Sequence, residues 1–393
     1  MNPEKSGFFI LYFSNLSLQK KISMLKIFLL NILFSFSVIA QVNNEKNISF
    51  EKVSATKLNK TIFGYLPWWE YLQGSSNYIR YDLISHLAIF SFEADSLGNL
   101  KDPLNWPWND VIANASKNKV KLIISVTNFN SNEIHKLFND KNVRTNLFKN
   151  IETRIRNYNF VGINIDFENV KDEDKNLVIT NFFVELKKYF SQSNLELSFA
   201  SPSINFGGWN FESLVQVCDY LFVMCYDYYG SWNDFTAPSS PFTGTYFNVS
   251  KTFENDYSNI VKAQPEKLIM GVPYYGNYWK TKTKDPYTKV DTSKSNKEWV
   301  NTLTYKQIAN DYFKYEKLWD SFSQTPWIRW FDTKWNQIWY DDEKSLEIKY
   351  DYANQKKLKG VGIWALGYDG QRKELWQLIE NKFTSSTDIN ENI

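Results

Sequence analysis

The sequence predicts an α/β protein: a closed (β/α)8 barrel with one long insertion between its seventh and eighth strands. Three observations lead there. Eight short apolar runs recur along the 393 residues, separated by polar stretches with helical patterning. The runs are nearly continuous in apolar character, as expected for strands buried on both faces and paired in parallel. Polar and aromatic residues cluster after nearly every run, as they would around one barrel mouth, which disfavours an open doubly wound sheet.

Taken in order, the runs are Thr61–Tyr65, Ile84–Phe92 and Lys121–Val126, then Phe160–Asp166 and Leu195–Ala200. Asp219–Met224, Lys267–Val272 and Gly360–Trp364 complete the eight. Amphipathic segments such as Ile134–Tyr158 and Asp172–Phe190 are the expected crossover helices. Gly276 to Tyr340, rich in Trp, Tyr, Lys and Asp, is too long for a plain connection. Ahead of the barrel, residues 1–40 are read as an extension and export signal, and 41–60 as an N-terminal segment. Residues 24–40 have a lysine near the start of a short apolar core, and the small Val38 and Ala40 suit cleavage before Gln41. Met24 is a second candidate start. No cysteine follows the cleavage point, so a lipid anchor is not expected. The mature chain is expected to be secreted or periplasmic, with no stable membrane association. The barrel is placed at 61–383, and the polar tail 384–393 is expected to be disordered.

Composition excludes several classes. A net charge of +2 gives no reason to expect a nucleic-acid partner. The chain is 43% hydrophobic, ample for a large core without disulfides. Its two cysteines, Cys218 and Cys225, lie at opposite ends of one strand, roughly 23 Å apart if extended, and read as buried free thiols. The two histidines, His86 and His135, read as a core residue and a surface-helix residue, so no metal and no cofactor are expected. No repeat beyond the strand–helix alternation is present, and a monomer is expected. Among 15 tryptophans, the pairs Trp68-Trp69 and Trp106-Trp108 follow strands and would suit the apolar faces of sugar rings.

The fourth run ends Gly162-Ile-Asn-Ile-Asp-Phe-Glu168. Alternation along a strand puts Asn164, Asp166 and Glu168 on one face, neighbours roughly 6.5 Å apart. Two acids at the end of a buried strand suggest a site where one keeps its proton because the other is ionised. A strand that ends at a solvated acidic loop explains the spacing equally well.

This stretch closely resembles the strand-four signature of family 18 glycoside hydrolases, Asp-Gly-x-Asp-x-Asp-x-Glu. Gly162, Asp166 and Glu168 match; Val161 and Asn164 replace the other two acids. Val161 has the opposite parity and should point away from the site. Asn164 can hydrogen-bond but cannot share a proton. Asn-x-Asp-x-Glu also occurs in the branch that resembles spore-cortex and peptidoglycan-cleaving enzymes. Met224-Cys-Tyr-Asp-Tyr-Tyr-Gly-Ser-Trp232 is similar to the family's Met-x-Tyr-Asp segment with the Gly-x-Trp extension of chitinases. Gly64-Tyr-Leu-Pro-Trp-Trp69, Met270-Gly-Val-Pro-Tyr-Tyr-Gly276, Trp339-Tyr-Asp-Asp-Glu-Lys-Ser345 and the strand-eight Trp364 also resemble family counterparts. Ser125-Val-Thr-Asn128 departs from the usual Ser-x-Gly-Gly.

The resemblance implies a TIM barrel whose insertion, 276–340, is small and α+β. It implies a secreted hydrolase that cleaves β-linked N-acetylglucosamine polymers with retention, using the substrate's own acetamido group. Glu168 would be the acid and then the base, Asp166 would orient the acetamido N–H, and Tyr226 would hold its oxygen. Asn164 would anchor Asp166 by a hydrogen bond. Met224, Asp227, Trp364, Tyr65 and Trp69 would contact substrate, with Trp364 as the stacking floor. Chitin is the leading substrate. The alternatives are a peptidoglycan-cleaving N-acetylglucosaminidase and a non-catalytic chitin-binding lectin.

Overall fold

The computed structural model describes residues 57–290 and 300–385. The expected extension, export signal and segment up to residue 56 lie outside the described residues, as does the tail beyond Ser385. The barrel strands are β1 (Thr61–Pro67), β2 (His86–Ala94), β3 (Lys121–Asn128), β4 (Gly162–Phe167), β5 (Glu196–Pro202), β6 (Tyr220–Met224) and β7 (Leu268–Pro273). Five insertion strands follow: β8 (Tyr275–Thr281), β9 (Val300–Thr304), β10 (Glu316–Asp320), β11 (Thr325–Phe331) and β12 (Trp335–Trp339). The last barrel strand is β13 (Gly360–Trp364). β1 to β7 pair in sequence, all in parallel; β13 pairs with β7 and β1, and the sheet closes. Among the described residues, no helix is long and apolar enough to cross a membrane.

Alternation along the strands divides the core in two. Inward residues Phe63, Tyr65, Phe90 and Phe222 fill the barrel, with the Tyr65 and Phe222 rings 4.9 Å apart. Outward residues such as Ile163, Ile165 and Phe167 pack beneath the helices. The crowded interior dictates one glycine: a Cβ on Gly362 would come within 2.0 Å of Phe222. The insertion is an antiparallel sheet in the order β9-β8-β12-β11-β10, accompanied by a helix at Tyr305–Asp311. Its own core is made of Trp279, Trp327 and Trp339, the last two stacked at 5.1 Å.

Three expectations change. The segment Ile134–Tyr158 is two helices, Ser131–Asn139 and Lys141–Tyr158. They are separated by Asp140, whose carboxylate caps the second by accepting from the amides of Asn142 and Val143. The long crossover after β4 starts later, at Leu177, behind a 3-10 turn at Asp172–Asp174. The tail is partly ordered: Thr384–Ser385 pairs antiparallel with Lys57–Leu58, next to the fully buried Phe383.

Candidate active site

β4 turns Asn164 and Asp166 into the barrel, and Glu168 stands one residue past its end. The Glu168 amide donates to the Asn128 carbonyl at 3.1 Å, so the divergent strand-three loop fixes where the acid begins. Val161 points away and is exposed at the opposite end of the strand. Asp166 is buried, and its Oδ1 has no hydrogen-bond partner. Burial, and then the charge on Glu168, hold its carboxyl well above the usual carboxylate range.

Glu168 is exposed by surface area, but the cleft walls enclose most of its surroundings. That enclosure, ahead of the charge on Asp227, raises its pKa. Asp227 is likewise exposed yet walled in, and its pKa is raised by burial against the hydrogen bonds it accepts. The three carboxylates thus form a chain in which each acid makes the next harder to ionise.

Asn164 is placed differently from expectation. It has no exposed surface and lies a layer below the cleft. Its Oδ1 accepts from the Tyr65 hydroxyl at 2.8 Å and its Nδ2 donates to Ser198 Oγ at 2.9 Å. One bond crosses the barrel interior to β1 and the other goes to the adjacent β5; the expected bond to Asp166 is absent, and direct contact with a ligand is blocked by burial. Its effect on the site runs through Tyr65.

The strand-six exit is held from behind. Asp227 takes a left-handed backbone (φ +56°), an uncommon state for a residue with a side chain. Its Oδ1 accepts from the Tyr275 and Ser239 hydroxyls, and its amide donates to Ser239 Oγ at 3.0 Å. Ser240 donates to the Cys225 carbonyl, and the fully buried Lys349 donates to Ser240 while pairing with Asp341 at 2.6 Å. Cys218 and Cys225 are buried free thiols. Burial keeps the Tyr65 and Tyr226 phenols protonated, so both remain donors.

These elements enclose a cavity of about 260 Å³ that brings together every expected site residue except Asn164. Asp166, Glu168, Tyr226 and Asp227 line one part; Tyr65, Trp69, Met224 and Trp364 line the rest. Trp364 is locked in place by edge-on contacts with Phe90 at 4.7 Å and Tyr65 at 5.6 Å. A second cavity of about 770 Å³ adjoins it and shares Glu168, Met224, Tyr226 and Asp227. The arrangement offers a proton donor at the mouth, an unsatisfied acceptor below it, and an aromatic wall for an apolar ring face.

Sequence reasoning missed Phe90 and Phe129, which also line the reactive cavity, and the supporting Tyr275 and Ser239. Phe129 directly follows β3, a position that could have flagged it. Trp106 and Trp108 do not serve as a sugar platform: Trp108 is fully buried and Trp106 packs on Phe92, Tyr158 and Phe160. His86 sits at the other end of β2 against Glu196 at 2.8 Å, and burial lowers its pKa. His135 hydrogen-bonds the buried Asp174 at 2.8 Å beside Glu173 at the protein surface.

Residues 61–369 match the family model of Glycosyl hydrolases family 18. A protein named probable chitinase 2 from Drosophila melanogaster is 29% identical over 281 residues, 64% of this chain and 56% of its own length. A putative sporulation-specific glycosylase of Bacillus subtilis is 25% identical over 297 residues, 72% of this chain and 66% of its own. The chain thus spans just over half of the first relative and slightly under two thirds of the second. Two solved structures share the fold. A family 18 chitinase from Cycas revoluta in complex with (GlcNAc)3 has a TM-score of 0.73 at 20% identity, covering 82% of this chain and 99% of that one. The spore cortex-lytic enzyme SleL of Bacillus megaterium has a TM-score of 0.66 at 22% identity, covering 83% and 75%. A family match across most of the chain, on a closed barrel with paired acids at its mouth, makes this protein a glycoside hydrolase of family 18.

Proposed function

We propose that the protein hydrolyses β-linked polymers of N-acetylglucosamine, chitin or chito-oligosaccharides first, with retention of configuration and with the substrate's acetamido oxygen as nucleophile. The observation that carries this reading is the buried Oδ1 of Asp166, an acceptor in the wall of the reactive cavity that no protein donor satisfies. An acetamido N–H supplies the missing partner, and a buried unpaired acceptor otherwise costs about 1–3 kcal/mol. Both acids also come from one strand, so neither need serve as the nucleophile on the opposite sugar face.

In the first step Glu168 donates its proton to the glycosidic oxygen as the C1–O bond breaks. The acetamido oxygen attacks C1 and closes a positively charged oxazoline ring, stabilised by Asp166. Tyr226 holds the acetamido oxygen in line, a positioning contribution. In the second step the Glu168 carboxylate takes a proton from water, whose oxygen opens the ring at C1 and restores the acetamide. The sugar leaves with its original configuration.

Peptidoglycan is the second reading. It is favoured by Asn164, by the sporulation-specific relative and by a Bacillus subtilis cortical fragment-lytic enzyme that is 24% identical over 317 residues. Export, read from residues 24–40, would place either substrate within reach. Mass spectrometry after separate incubation with chitohexaose and purified peptidoglycan tests the proposal. Chito-oligomers are the expected products; muropeptide fragments alone would move the substrate to the cell wall. Binding without any product would mean a lectin.

The carboxylate chain gives a pH prediction. Glu168 must be protonated to act as acid, and Asp227 helps keep it so. Asp227→Asn is therefore expected to move the alkaline limb of kcat/KM to lower pH. An alkaline limb that stays in place would show that Asp227 does not tune the acid.

A further inference from the structure

The cleft is unequal on the two sides of Glu168, and this bears on where a chain is cut. Asp166 and Trp364 line only the smaller cavity, about 260 Å³, so the ring under attack sits there. That volume lies below the ~300–1,000 Å³ usual for drug-sized ligands and suits little more than one ring. Its outer rim is bolted. The Trp69 indole donates to the Tyr368 hydroxyl at 3.3 Å, and the Tyr368 carbonyl accepts from the Lys306 amide at 2.8 Å. The Lys306 ammonium in turn pairs with the buried Glu70 at 2.8 Å. The insertion helix thereby clamps the exits of β1 and β13 together.

Glu168, which protonates the departing oxygen, also borders the cavity of about 770 Å³, so the leaving group extends into that larger space. There the walls are aromatic and open. Phe206 is 73% exposed, Tyr246 78% and Trp232 59%. Phe247 joins them, its ring 5.4 Å from Phe206 and 4.7 Å from Tyr246. Lys251 steadies this platform, donating to the Tyr246 carbonyl with its ammonium 5.5 Å from the ring. A polar annex of about 300 Å³ continues beyond Phe247. Rings this exposed add little to the core, and clustered apolar exposure in a cleft marks a binding surface.

We propose that the protein grips its polysaccharide mainly on the leaving-group side, on the platform of Phe206, Tyr246 and Phe247 beyond Trp232, and so cuts near the non-reducing end. This rests on the hydrolase reading above. Sugar rings stack on the platform by their apolar faces, and one short unit at a time occupies the reactive cavity.

Chitohexaose tagged at its reducing end with 2-aminobenzamide tests the proposal. The first products of the wild type should be a short untagged sugar and a longer tagged one. The double variant Phe206→Ala/Tyr246→Ala should raise KM for the hexamer about tenfold, the worth of two lost stacking contacts. The loss should fall on KM rather than kcat, and should be smaller for an aryl chitobioside, whose aglycone is short; a melting curve checks that the variant is folded. A tag on the shorter fragments, or an unchanged KM in a folded variant, would overturn the proposal while leaving the hydrolase reading intact. Failure to cleave both hexamer and aryl glycoside would overturn the chito-oligosaccharide reading and the proposal with it.

Discussion

Replacing Glu168 with glutamine is expected to lower kcat on chitohexaose by about 10³-fold or more, the upper part of the range for general acid–base groups. The amide keeps the shape of the carboxylic acid but has no proton to give to the glycosidic oxygen, and it cannot take one from water. Both chemical steps therefore lose the same residue. Binding should survive, because Trp364, Tyr226 and Asp166 stay in place. Isothermal titration with chitohexaose should give an affinity within a few-fold of the wild type, and the intact oligomer should be recoverable. A Glu168→Gln protein that still turns over within tenfold of the wild-type rate would remove Glu168 from the chemistry.

Asp166→Asn should cost activity and gain stability. The loss, on the order of 10²–10³-fold in kcat, is that of a charge aimed at a developing cation. The gain follows from linkage. Burial and the Glu168 charge raise the Asp166 pKa, so near its titration range the folded protein binds more protons there than the unfolded chain. The stability contributed by Asp166 is complete below the unfolded carboxylate pKa and is lost as pH rises through the higher folded value. Asparagine does not titrate, so the variant escapes that loss. The difference in Tm should be smallest near pH 4 and grow toward neutral pH, by about 2 °C for each kcal/mol relieved. A variant whose melting temperature tracks the wild type at every pH would mean that the carboxylate is not strained by its burial.

How far the sequence could be read depended on which physical rule set each feature. Strand parity alone separated Val161 from Asn164, Asp166 and Glu168, because alternation is a property of the backbone. The strand-six and strand-eight residues Met224, Tyr226, Asp227 and Trp364 were legible through the family resemblance of their motifs, and they lie at the carboxyl ends of barrel strands, where active-site residues gather. Partners in three dimensions were not legible. Asn164 bonds Tyr65 and Ser198, ninety-nine and thirty-four residues away, where local reasoning expected its neighbour Asp166. Trp106 and Trp108 carry the same post-strand signal as Trp68 and Trp69, yet they pack inward while Trp69 lines the cavity. Phe206, Tyr246 and Phe247 lie in irregular connections, where no periodicity tells an exposed ring from a buried one. The break at Asp140 was written locally as a helix cap, but it was masked by the continuous amphipathic pattern around it.

Proton NMR of the first minutes of hydrolysis most directly tests catalysis by the substrate's own acetamido group, using acetylated chitohexaose beside its fully deacetylated counterpart. The account predicts that the new reducing ends appear as the β-anomer before mutarotation, and that the deacetylated hexamer is not cut. Release of the α-anomer, or cleavage of both hexamers at similar rates, would contradict it.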